Sequence, residues 1–186
     1  MPVFRGFHLV VQLLFFCFFG FSQSSPQTAA KQLYEAIYNI DIDAVLVLSG
    51  LKSTPDRYKI LDEVFQNEAT KLRYSLTNAA FQVGEIKEIA GVNWCHIQYR
   101  NTIRVTYFSK LTDQQIADVK AELEKNFNTK QVTFEKQRQS FLIVYRASFV
   151  AKQQPNTWQI FVADGSLMTD LFEPCLPAEV KSTLGI

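Results

Sequence analysis

The residue best placed to do chemistry in this chain is His96. It recurs at two-residue spacing with Trp94, Arg100 and Arg104 in a strand-like run, so all four point to one side of a strand. An imidazole beside two guanidinium groups and an indole can anchor an acidic ligand, and it can also carry a proton near neutral pH. The plainer alternative is a strand face turned to solvent. If a pocket forms, Trp94, His96, Arg100 and Tyr145 are the expected rim or lining. Arg138 and Arg146 add positive charge but read as ordinary surface arginines.

Other chemistries have less to work with. The chain has two histidines and three cysteines. His8 and Cys17 fall in the apolar N-terminal segment, which leaves one histidine and two distant cysteines, too few for a zinc site. There is no nucleophile elbow, Walker loop or dinucleotide fingerprint, and neither a cofactor nor a metal is expected. Gln82-Val83-Gly84 lacks the full Gln-x-Val-x-Gly spacing of the cystatin inhibitory hairpin, its glycine coming one residue early after the valine, which argues against protease inhibition.

The N-terminus reads as an export signal. Arg5 supplies the positive charge, and residues 9–21 form an apolar run broken only by Gln12 and Gly20. Gly20 and Ser22 stand two apart, as signal peptidase prefers. The run is shorter than the roughly 20 apolar residues of a membrane-spanning helix. Residues 1–22 are therefore expected to be removed, leaving 23–186 as a single domain with no membrane span in a periplasmic or secreted protein. In an oxidising compartment Cys95 and Cys175 can form one disulfide; two buried free thiols are the alternative.

Lysine and arginine number 19 against 18 acids, and losing Arg5 with the signal balances the charge. A neutral chain without a basic run excludes nucleic acid as an expected partner. The expected partner is a small or peptide-like ligand or an envelope protein.

The elements that must position these residues follow from periodicity. Ser25-Pro26 opens a first helix with Leu33, Tyr34, Ile37 and Tyr38 on its stripe. A short helix follows Asp41 and Asp43. Thr54-Pro55 caps a third, with Tyr58, Leu61, Val64, Phe65 and Leu72 on one face. Strand texture then begins, first over residues 81–90. Over 93–108, Cys95, Ile97, Tyr99, Ile103, Val105 and Tyr107 alternate with polar residues, so the odd positions are expected in the core. Thr112 and Gln115 make a capping box for a helix over 111–127. Strands are expected at 132–134, 140–151 and 157–163, with Phe141, Ile143, Tyr145, Ala147 and Phe149 inward. A short helix after Pro177 closes the chain.

Helices first and a mostly antiparallel sheet after them read as α+β. The opening helix with Asp41-Ile42-Asp43, the strand Trp158-Gln159-Ile160-Phe161 and the ending Leu176-Pro177-Ala178-Glu179-Val180 carry a resemblance. The chain resembles the nuclear-transport-factor-2-like, or cystatin-like, superfamily, and small exported proteins of Bacteroidetes-type bacteria. That resemblance implies N-terminal helices packed on a bent, cone-like sheet, with the helix over 111–127 as an extra element. Such cones often hold a pocket, and three roles follow. The leading one is a non-enzymatic domain that binds a small or peptide-like ligand or an envelope protein. The others are a proton-transfer enzyme of isomerase or dehydratase type and a pure protein-interaction subunit.

Overall fold

A computed structural model describes residues 25–75, 78–163 and 168–186. The expected signal peptide over residues 1–22 lies outside the described residues. Three capped helices come first. Helix α1 spans Pro26–Asn39, and the hydroxyl of Ser25 accepts from the Thr28 amide at 3.1 Å. Helix α2 spans Ile42–Leu48 and begins where the Asp41 carboxylate accepts from the Ala44 amide at 3.0 Å. Helix α3 spans Pro55–Phe65 behind the Thr54 cap. In each case a short polar side chain satisfies a first-turn N–H that has no partner within the helix.

Strand β1, Thr70–Tyr74, stands where the sequence suggests that helix α3 continues to Leu72. The helix stops at Phe65 because Gln66 takes extended backbone. Asn67 then turns the chain, its Oδ1 accepting from the amides of Ala69 and Thr70, each at 2.9 Å. This Asx turn converts a numerically helical stripe into a reversal. The single strand expected over residues 81–90 is two short ones, β2 (Gln82–Val83) and β3 (Lys87–Ile89).

The long strands β4 (Val92–Tyr107) and β6 (Ser140–Gln153) pair antiparallel at the centre. Between them run helix α4 (Asp113–Asn126), with the expected Thr112–Gln115 capping box, and strand β5 (Val132–Glu135). Strand β7 (Trp158–Val162), helix α5 (Thr169–Phe172) and helix α6 (Ala178–Leu184) complete the chain. The fold is α+β, with an open seven-stranded antiparallel sheet among the described residues. The central pair has different flanks at its two halves. At one end β1 lies beside β4 and β5 beside β6; at the other, β2 and β3 lie beside β4 and β7 beside β6.

The core lies between helix α1 and the odd-numbered face of this central pair. Cys95, Ile97, Ile103, Phe141, Ile143, Ala147 and Phe149 are all buried there, as the alternation requires. Tyr34 brings helix α1 onto the sheet, packing its ring against Tyr74, Phe81 and Tyr99 at 5.3 to 5.8 Å. Tyr34 and Phe65 are buried as expected, whereas Tyr38 and Tyr58 are exposed. Among the described residues no helix is long and apolar enough to cross a membrane.

Candidate functional site

The even-numbered face of the sheet is covered at one end and open at the other. Trp94 of β4, Val150 of β6 and Phe161 of β7 are buried, with the Trp94 and Phe161 rings stacked 6.3 Å apart. The C-terminal segment returns over this end: Leu184 borders His96, and Lys87 Nζ donates to the Thr183 carbonyl at 3.0 Å. Further along the same strands the cover stops. Gln98 is half-buried, and Arg100 and Arg146 are exposed.

There the sheet forms the floor of an open groove of about 460 Å³, bordered by Gln82 and Gln98 on one side and Thr129 and Gln131 on the other, with Arg100 and Arg146 between. The side of the groove next to β5 is held in place by a chain of hydrogen bonds. Thr129 donates its hydroxyl to the Val144 carbonyl at 2.7 Å and accepts from the Gln131 amide at 3.1 Å. The Val144 amide donates to the Gln131 carbonyl at 2.9 Å. These bonds set the backbone at Gln131, and its side-chain oxygen accepts from the Arg100 guanidinium at 3.2 Å.

The structure does not bring the four residues singled out from the sequence into one site. Arg100 and Tyr145 border the groove. Tyr145, however, turns its hydroxyl into the core, where it accepts from Asn101 Nδ2 at 3.0 Å. His96 borders an adjoining open depression of about 430 Å³, with Gly84, Glu85, Lys87 and Leu184, that shares Gln82 and Gln98 with the groove. Its Nε2 is buried with no hydrogen-bond partner among the described residues. Burial lowers its pKa from the ordinary 6.5, because removing water disfavours the charged ring. Trp94 is buried beneath Lys152, whose ammonium lies 5.3 Å from the indole centroid. It is a packing residue and a cation–π partner.

The thiols of Cys95 and Cys175 are free in the structure, so the disulfide is not formed there. Cys95 is buried on the core face, and burial pushes its thiol up to about 11. Among the described residues no three His, Cys, Asp or Glu side chains converge as a metal site would need.

Arg146 enters the groove despite reading as a surface arginine from sequence. Only the β4–β6 register reveals its position, since it places Arg146 opposite Arg100. Comparison with family models, curated proteins and solved structures finds no match for the chain.

Proposed function

We propose that this chain is an exported, non-enzymatic binding domain that holds a small or peptide-like ligand in the groove over Arg100 and Arg146. The open half of the even-numbered sheet face carries this reading. A groove of about 460 Å³ falls within the size range of small-molecule sites. It is lined by side-chain amides, a hydroxyl and two guanidinium groups, which match the hydrogen-bonding inventory of a peptide-like ligand. Its lining among the described residues includes no carboxylate and no histidine, which favours holding a ligand over moving a proton. The cone-like resemblance and the export reading both rest on the sequence.

Native mass spectrometry on protein recovered gently from the envelope fraction tests this reading. We expect a retained small mass that is lost on denaturation, and a polypeptide mass that begins at Gln23. A stable heteromer with an empty groove would replace this reading with the pure interaction subunit.

A further inference from the structure

We propose that Arg100 and Arg146 act as a pair that clamps an oxyanion, a carboxylate or a phosphate, on the ligand of this groove. The inference rests on the binding role proposed above and names the chemistry of its ligand. The two residues are direct cross-strand partners in the antiparallel β4–β6 ladder. Side chains at such positions share a face, with Cβ atoms roughly 4.5–5.5 Å apart, and like charges there repel. Both are exposed, and neither has an ion-pair partner among the described residues.

The same face holds a second arginine pair, and there the fold provides acceptors for both members. Arg73 of β1 lies opposite Arg104 of β4. Arg104 meets the Glu135 carboxylate at 3.2 Å. Arg73 is turned onto the carbonyls of Phe65 and Leu72 at 2.8 and 2.6 Å. The fold therefore supplies acceptors where two arginines meet away from the groove, and supplies only the amide oxygen of Gln131 where they meet inside it. Two guanidinium groups on one groove floor present planar, forked donors that suit bidentate oxyanion contacts. Gln131 holds one of the two in place before any ligand arrives, which lowers the ordering cost of binding. An anion between them would also relieve their mutual repulsion.

Titration of the ¹⁵N-labelled full chain followed by NMR tests this, with succinate, inorganic phosphate and the neutral N-acetylalanine amide as probes. We expect succinate or phosphate to saturate shifts in the backbone amides of residues 98–100, 129–131 and 144–146. Whichever of the two binds more tightly identifies the oxyanion. Arg100→Gln and Arg146→Gln should each weaken that binding by about tenfold or more, the worth of one lost charge-assisted hydrogen bond. Added salt should weaken it as well. Anion shifts that map elsewhere, or that survive both substitutions unchanged, overturn the clamp. Groove shifts with the neutral amide alone overturn the clamp and leave the binding reading standing. No groove shift with any probe overturns both.

Discussion

Asn101 donates to the hydroxyl of Tyr145 at 3.0 Å from a fully buried position at the centre of the sheet. Its Oδ1 accepts from the Tyr34 hydroxyl at 3.2 Å and from the Thr102 amide at 2.8 Å. One amide thus links helix α1, strand β4 and strand β6. Burial pushes the Tyr34 phenol well above its ordinary pKa, so it stays a neutral donor. Asn101→Ala deprives two buried hydroxyls of this partner, and chemical denaturation should show a loss of about 2–3 kcal/mol. Tyr34→Phe leaves the Thr102 contact in place and should cost about 1 kcal/mol. Equal losses for the two variants would show that Asn101 is not the hub.

Gly84 is held by its contact with strand β4. Its amide donates to the His96 carbonyl at 2.8 Å, and a Cβ built on it would meet that same oxygen at 2.9 Å. The obstacle is backbone, so it cannot swing aside. Gly84→Ala should destabilise the protein by about 1–3 kcal/mol as an overpacked contact. Gly91 is the control: its added Cβ meets nothing, and only its φ of +76° opposes a side chain. Gly91→Ala should cost about 1 kcal/mol. Thermal melts of the two variants separate steric contact from backbone strain.

The two-residue alternation of β4 made the core legible from sequence, because period two leaves one choice of inward face. It did not reveal Asn101, a polar residue at an inward position whose partners come from α1 and β6. The α3 stripe ran on to Leu72 because spacing alone does not register an Asx turn at Asn67. Trp94 and His96 share a face with Arg100, yet Trp94 is buried at one end of that face and His96 borders the adjoining depression instead of the groove. The Arg100–Arg146 pair depends on a register set between strands that are separated by α4 and β5. Only structure could bring those two charges together.

Cys95 and Cys175 should differ in reactivity. The thiolate is the reactive form, and Cys95 is both fully buried and pushed up to about 11 by burial. Cys175 is half-buried and free. Alkylation of the native protein followed by peptide mapping should label Cys175 readily and Cys95 only after unfolding. A disulfide-linked peptide containing both residues would contradict the free thiols.

Repulsion between Arg100 and Arg146 should be visible without any ligand. Like charges directly opposite on a sheet cost roughly 0.2–1 kcal/mol. Arg146→Gln should therefore stabilise the ligand-free protein by a few tenths of a kcal/mol at low ionic strength. The gain should shrink as salt screens the pair. Arg104→Gln should show no such gain, since Arg104 is paired with Glu135 at 3.2 Å. Denaturant midpoints at low and high salt compare the two directly, and equal behaviour would remove the repulsion.

His96 should make stability depend on pH in one direction. Burial lowers its folded pKa below 6.5, while the unfolded ring titrates near the ordinary value. Above 6.5 the ring is neutral in both states and the full stability is present. As pH falls through 6.5, the unfolded chain takes up a proton that the folded protein refuses, so stability declines until the folded pKa is reached. Glu85 and Lys87 border the same depression, and the buried Nε2 has neither as a hydrogen-bond partner. Denaturation midpoints measured between about pH 5 and pH 7 should fall on acidification. His96→Gln should flatten that slope, because it keeps a polar side chain and removes the titration. A slope that persists in His96→Gln would assign the dependence to the carboxylates instead.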